Sequence, residues 1–318
     1  MVTMISDLPW QFTTLPLDPA TGPEAVRTLA SGATASDGVA PLSEHSLLHL
    51  TSPLSRHLFA YAGEQLVGYA QVWQDRAAEL VVAPVSRRHG LGSALWEAAT
   101  EAGADRGWAH GDLPGAAGLA AAYGLERVRE LHRMTRVLTA DDRTDVTLPD
   151  GYTARAFVPG QDEEAWLVTN AAAFATHPEQ GSLTRADLDQ RMAQDWFDPA
   201  DFLVVEHVGA PGRIVAFHWT KVEPGARAGW AHGRDGDEGA GSTGETYVVG
   251  VDPAYQGRGL AGPLTRLGIA HLAGRGLHEV ELYVDGDNVR ALRTYEGQGF
   301  RSANVDVVYA TREREPGR

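Results

Sequence analysis

The chain has 318 residues, 43% hydrophobic and 22% charged, with a formal net charge of −15 and no cysteine. The length exceeds what one core usually holds, so two domains are expected. The acidity excludes general binding to nucleic acid or anionic membrane, the absence of cysteine excludes disulfides and thiolate metal sites, and there is no apolar run of the roughly 18 residues that a spanning helix needs. The N-terminal MVTMISDLPWQF has an early acid and no basic region, so no secretion signal is expected; the lack of cysteine fits a reducing cytoplasm, and a monomer is the expectation. Twelve histidines are scattered without an H-E-x-x-H pattern, so no metal is expected.

In chain order, GEQLVGYAQVW (63–73) reads as a glycine turn and a strand. LVVAPVSRRHGLGSALWEAA, from Leu80, reads as an apolar strand, a proline turn, the string Arg87-x-x-Gly90-x-Gly92 and an amphipathic helix. Trp108 to Asp112 is a further predicted strand, followed by a helix closing on the glycine of YGLERV and by the strand LHRMTRVL. TADDRTDVTLPDG (139–151) is acidic and lacks periodicity, which places a linker at 140–151 between domains 1–139 and 152–318. The second half then repeats the first. GRIVAFHWTKV (212–222) is a glycine turn and a strand, and VGVDPAYQGRGLAGPLTRLG, from Val249, matches the earlier loop at a constant offset of 169 residues. Val280 to Val284, the helix closing on QGFRSA and the strand VDVVYAT complete the copy. EPGARAGWAHGRDGDEGAGSTG (223–244) interrupts it and is expected to be a mobile surface loop. Strands alternating with helices in both halves predict an α/β layer fold.

The two loops carry the chemistry. Arg87-x-x-Gly90-x-Gly92 and Gln256-x-x-Gly259-x-Ala261 each sit between a strand and a helix. Glycines there let the backbone turn with its N–H groups inward, and the helix start adds unpaired donors and partial positive charge. A diphosphate suits that environment. Gly257-x-Gly259-x-x-Gly262 also matches the dinucleotide fingerprint, but Asp252 to Gln256 separate it from its strand and the first copy has Leu95 at the third glycine, so nicotinamide binding is not expected.

This string, with Asn288-Val289-x-Ala291-x-x-x-Tyr295-x-x-x-Gly299-Phe300, resembles the GCN5-related N-acetyltransferase family. The resemblance implies two tandem domains of that family, each a mixed α+β sheet flanked by helices, with acetyl-CoA in a cleft where two central strands splay. It places cofactor contacts in the first copy at Leu80, Val81 and Val82 and along the loop from Arg88, His89 and Gly90 to Leu91, Gly92 and Ser93. In the second they fall at Val249, Gly250 and Val251, at Gln256, Gly257, Arg258 and Gly259, and on through Leu260, Ala261 and Gly262. A last set runs from Asn288, Val289 and Arg290 to Ala291, Leu292 and Arg293.

An amine with a reference pKa near 8 must lose a proton before it attacks a thioester, and a thiolate must then leave. Glu245, at the start of ETYVVGV, is the candidate base, and Tyr295 the candidate partner of the leaving sulfur. At the loop offset Glu245 corresponds to Arg76, and pairing Gly299 with Gly124 sets Tyr295 against Ala120. The first copy is therefore expected to hold acetyl-CoA without catalysing.

ATASDGVAPLSE (33–44), ATHPEQGSLT (175–184), FHWTKV (217–222) and ELYVDGDN (281–288) resemble a subgroup of the family that acetylates the cysteinyl amine of cysteinyl-glucosaminyl-inositol. That resemblance implies a small-molecule substrate held by Asp37, Glu179, Lys221, Glu245 and Tyr283. Two other readings stay open: a tandem acetyltransferase for another amine, such as an aminoglycoside or a protein N-terminus, and a non-catalytic acyl-CoA sensor.

Overall fold

The computed structural model describes residues 11–13, 22–175, 180–224 and 242–311. The chain divides into two units: Met1–His132 with Asp285–Asp287 and Asn304–Arg318, and Arg133–Val284 with Asn288–Ala303.

In the first unit the elements run β1 (Gln11–Thr13), α1 (Gly22–Asp37), α2 (Glu44–Leu48), β2 (Arg56–Ala62), β3 (Gln65–Val72), β4 (Ala77–Val82), α3 (Leu91–Glu101), β5 (Arg106–Ala109) and α4 (Pro114–Ala122), and β6 (Glu126–Val137) begins here. Strands β1 to β4 are antiparallel neighbours, and β5 lies parallel to β4. The core joins Val26 and Leu29 of α1 and Leu91 and Leu95 of α3 to Phe59, Val67 and Tyr69 of the sheet. The strand expected over 108–112 stops at Ala109, because Gly111 (φ 70°) and Asp112 (φ 44°) turn left-handed and leave the ladder.

The second unit continues with β7 (Tyr152–Ala156), α5 (Glu163–Ala173), α6 (Arg185–Met192), β8 (Phe202–His207), β9 (Ile214–Lys221), β10 (Thr243–Val251), α7 (Ala261–Gly274), β11 (Glu279–Asp285), α8 (Val289–Gly297) and the start of β12 (Arg301–Ala310). Its sheet runs β11-β10-β9-β8-β7, with only the β10–β11 pair parallel. Trp166 of α5, Phe202, Phe217 and Trp219 form an aromatic cluster, in which Phe202 stacks on Trp219 with centroids 4.2 Å apart. A second cluster gathers Leu272 of α7, Val280, Leu282 and Val284 of β11, and Phe300.

Two expected boundaries change. Residues 140–151 are built into the second unit: Thr139 and Asp142 form a capping box, and Leu148 packs against Val205 and Leu264. The strand VDVVYAT, expected in a 152–318 domain, lies largely in the first unit, because β12 pairs antiparallel with β5 (Val307↔Ala109, Tyr309↔Gly107). The expected loop at 223–244 falls mostly outside the described residues.

His218 on β9 is fully buried, its Nδ1 donating to the Leu264 carbonyl at 2.9 Å and its Nε2 3.2 Å from Thr246 Oγ1. Burial pushes its pKa down to about 4, so it is neutral. Gly268 of α7 packs directly on this ring, and an added Cβ would fall inside van der Waals contact. Gly268→Ala is therefore expected to destabilise the protein by about 1–3 kcal/mol, despite the better helix propensity of alanine. An unchanged melting temperature would contradict this.

Candidate active site

Both glycine loops fold alike. Pro84–Ser86 and Pro253–Tyr255 each make one 3-10 turn. Arg88 (φ 66°) and Gly90 (φ 84°) in the first copy match Gly257 (φ 74°) and Gly259 (φ 77°) in the second, so the loops share left-handed backbone at the same two places. Gly90 has open space around it, so backbone conformation rather than crowding requires glycine there. The first residue of each motif also has a common role. Arg87 Nε donates to the Val82 carbonyl at 3.1 Å, and Gln256 Nε2 to the Val251 carbonyl at 3.3 Å, tying the loop back to the strand it leaves. The backbone N–H groups of residues 88–93 and 257–262 have no acceptor among the described residues, while Ala94 and Leu264 already bond back to Gly90 and Leu260. The exposed Arg88 and Arg258 add positive charge, and the Arg258 guanidinium lies over the Tyr255 ring at 4.7 Å. Such an anion cradle suits a diphosphate.

Beside each loop two parallel strands part. The β10–β11 ladder ends at Thr246↔Leu282, although β10 runs to Val251 and β11 to Asp285. In the first unit the β4–β5 ladder ends at Ala78↔Gly107, and β4 runs on to Val82. Leu80, Val81 and Val82, like Val249, Gly250 and Val251, lie on the unpaired stretches of the inner strands, facing the opening on that side.

A β-bulge distinguishes the copies. The β9–β10 register shifts between Thr246 and Val248, leaving Tyr247 as the extra residue, whereas β3–β4 is regular. Matching the ladder ends sets Glu245 against Ala77, not Arg76 as the loop offset implied. The first copy has no acid at this place under either alignment.

Glu245 is half-buried and lies opposite Lys221 of β9 and Glu281 of β11. Side chains at paired positions share a face. Glu281 in turn bonds Arg133 Nη1 at 2.5 Å. A row of alternating elements thus carries Lys221, Glu245, Glu281 and Arg133, two cations outside two carboxylates. Arg133, Trp196 and Tyr247 were not singled out in the sequence. Tyr283, two residues past Glu281 on β11, is exposed.

Tyr295 on α8 packs with Leu292 and Ala291 against the cluster of Val280, Leu282 and Phe300, its ring 5.8 Å from that of Phe300. Burial pushes its phenol up to about 12. Of the buried residues flanking Glu245, Gly244 faces Leu272 and Leu277 of this same cluster and Thr246 meets His218, the ring on which Gly268 of α7 packs, so Glu245 points to the other face of the sheet. The parted strands are the opening between the two faces. Asn288 caps α8, its Oδ1 accepting from the Ala291 N–H at 3.1 Å, with Val289, Arg290 and Arg293 exposed on the helix. In both copies this helix closes with the same bonds, Phe300 N to Tyr295 O and Leu125 N to Ala120 O, which places Ala120 where the second copy has Tyr295.

Asp37, at the end of α1, is engaged by Arg87 through two bonds of 2.7 Å, and this guanidinium holds its carboxyl below the usual range. Glu179 lies outside the described residues. Among the described residues no cluster of histidines and acids could hold a metal ion, and no helix is long and apolar enough to cross a membrane.

The sequence profile of the Acetyltransferase (GNAT) family matches residues 26–122 and 170–300. A protein of Thermobispora bispora named mycothiol acetyltransferase is 48% identical over 90% of this chain and 95% of its own length. One of the same name from Streptomyces coelicolor is 43% identical over 91% of each chain. Among solved structures, a GCN5-related N-acetyltransferase from Sphaerobacter thermophilus aligns with TM-score 0.66 at 24% identity over 95% of both chains. A tandem GNAT protein from the clavulanic acid biosynthesis pathway aligns with TM-score 0.67 at 18% identity, covering 96% of this chain and all of its own. Two matched loops, two parted strand pairs and these near-full-length identities make the chain a member of the acetyltransferase (GNAT) family and, within it, of the family of the mycothiol acetyltransferases.

Proposed function

We propose that this enzyme transfers the acetyl group of acetyl-CoA to the cysteinyl amine of cysteinyl-glucosaminyl-inositol, giving mycothiol and CoA. The observation that carries the reading is that near-full-length relatives bear the name mycothiol acetyltransferase, in a chain whose second copy has Glu245 one place before its parallel ladder ends, where the first copy has Ala77. The amides of residues 257–262 hold the cofactor diphosphate, with Arg258 beside them, and Asn288 to Arg293 border the same opening. Glu245 takes the proton of the substrate ammonium. The freed nitrogen then forms the N–C bond to the acetyl carbonyl as the C–S bond breaks and its electron pair leaves with sulfur, and the second proton that the nitrogen sheds on becoming an amide is taken up by the departing thiolate to give the CoA thiol. Tyr295, with its phenol held far above neutral by burial, stays protonated and donates a hydrogen bond to that sulfur rather than a proton. Lys221 and Tyr283 contact the substrate, as do Glu179 and, in the first unit, Asp37. The first unit binds acetyl-CoA through residues 88–93 without catalysing, since Ala77 and Ala120 replace both reacting groups. The protein acts as a cytoplasmic monomer on small molecules.

The test is turnover of purified protein with acetyl-CoA and three amines: cysteinyl-glucosaminyl-inositol, an aminoglycoside and a peptide N-terminus. We expect kcat/KM for the first to exceed the others by at least about a hundredfold, the discrimination that a site built to bond polar groups provides. Equal or greater activity on either rival would replace the substrate assignment.

A further inference from the structure

The Lys221 ammonium is held by more than its strand. Its Nζ lies 5.1 Å from the ring centroid of Trp196, 5.8 Å from that of Tyr247 and 3.0 Å from Glu223 Oε1, and its side chain is only 12% exposed. The Tyr247 ring is itself held from several sides. It is the bulged residue of β10, its hydroxyl accepts from Arg191 Nε at 3.1 Å, and its ring lies 5.1 Å from both Trp196 and Trp219. Arg191 is anchored in turn, its Nη1 donating to the Asp187 carbonyl at 3.0 Å within α6. α6, the turn after it, β9 and the bulge of β10 therefore converge on one ammonium, and that ammonium belongs to the residue opposite Glu245.

A lysine stem is flexible, and holding its head in one place costs rotamer entropy. Two aromatic faces supply attraction that an exposed lysine lacks, on the order of 0.5–2 kcal/mol. Charged groups face Glu245 from each neighbouring strand: Lys221 from β9, and Glu281, tied to Arg133, from β11. Glu281 is thus paired with Arg133, and the cation that β9 sets opposite Glu245 is the Lys221 ammonium, which Glu223 also engages at 3.0 Å.

We propose that Tyr247 and Trp196 are positioning residues for acetyl transfer, which fix the Lys221 ammonium beside the Glu245 carboxylate and so set the conditions under which Glu245 takes the proton. The inference rests on Glu245 being the base, as in the function proposed above. Trp196 and Tyr247 also belong to the aromatic packing around Trp219, and a packing role alone would lower stability without changing how rate depends on pH.

The experiment uses the full chain with Tyr247→Leu, Tyr247→Phe, Lys221→Met and the Tyr247→Leu/Lys221→Met pair. The pH profile of kcat, the KM for acetyl-CoA and thermal unfolding are measured with cysteinyl-glucosaminyl-inositol. Tyr247→Leu is expected to lower kcat about tenfold and to move the acid limb upward by about half a pH unit, because losing an ordered cation disfavours the carboxylate. KM for acetyl-CoA should not change. Lys221→Met should move the limb in the same direction, and the double variant no further than Lys221→Met alone. Tyr247→Phe, which keeps the ring, should keep the limb close to that of the unsubstituted protein. A folded Tyr247→Leu protein with an unmoved limb overturns the proposal, as does additivity in the double variant. If Tyr247→Leu does not fold, an unmoved limb in Lys221→Met is decisive against it. Glu245→Gln with an unaltered acid limb would bring down the base assignment instead.

Discussion

Glu245→Gln is expected to lower kcat for acetyl transfer by about 10²- to 10⁴-fold, the range associated with a positioned general base. The amide keeps the shape and cannot take the ammonium proton. Because the side chain is half-buried rather than fully enclosed, and Glu281 and Lys221 on the neighbouring strands keep Arg133 and Glu223 as ion-pair partners, no loss of fold is expected. Steady-state rates between pH 6 and 9 would test this, with acetyl-CoA binding as a control that should stay constant. A variant matching the unsubstituted rate across that range would exclude Glu245 as the base.

His110→Ala is expected to destabilise the first unit by about 3–5 kcal/mol, the cost of removing one partner from a buried charge cluster. His110 Nδ1 lies 3.0 Å from Asp306 Oδ2, and Nε2 3.4 Å from Glu79 Oε1, long for a hydrogen bond but within ion-pair range. Glu79 is 4% exposed, accepts from the Ser43 N–H at 2.8 Å and sits on β4, and Asp306 Oδ1 accepts from the Gly111 N–H at 2.7 Å. Burial alone would lower the His110 pKa. The hydrogen bonds and charges of Asp306 and Glu79 outweigh it and raise the imidazole to about 10, so it is a cation at neutral pH. Burial alone would likewise raise Glu79, but the His110 charge overcomes it and holds that carboxyl below its ordinary range.

The pH window follows from both signs. The His110 contribution is complete below its unfolded value near 6.5 and disappears as pH rises through about 10. The Glu79 contribution is present above its ordinary value near 4.5 and is lost as pH falls through its lowered folded value. Denaturant unfolding from pH 4 to 10 should show a stability plateau between these limits, and His110→Ala should flatten the alkaline side. A variant as stable as the parent at pH 7 would refute this account.

Local features were readable from the sequence, and long-range pairings were not. The glycine loops announced themselves through Gly90 and Gly259, where left-handed backbone favours glycine, while the second left-handed place holds Gly257 in one copy and Arg88 in the other. The Arg87 and Gln256 positions were visible as a motif, but their role in tying loop to strand needed coordinates. A single bulged residue was enough to make the Arg76 alignment of Glu245 wrong by one position, since no local composition marks Tyr247 as unpaired. Arg133 and Glu281 are 148 residues apart and His110 and Asp306 are 196 apart, distances over which one sequence carries no pairing signal. Asp37 read as a loop acid that only the resemblance marked out, and its pairing with Arg87 at the last turn of α1 was not legible.

The pairing of β12 with β5 bears on how the chain is made. During synthesis the first unit emerges long before Asp306 and Val307 exist, so β5 spends that interval with one edge open and His110 without one of its two carboxylates. Nascent chains and products truncated before residue 304 would expose that edge to strand-by-strand association, and chaperone dependence should follow the arrival of the final strand rather than the completion of the first 132 residues.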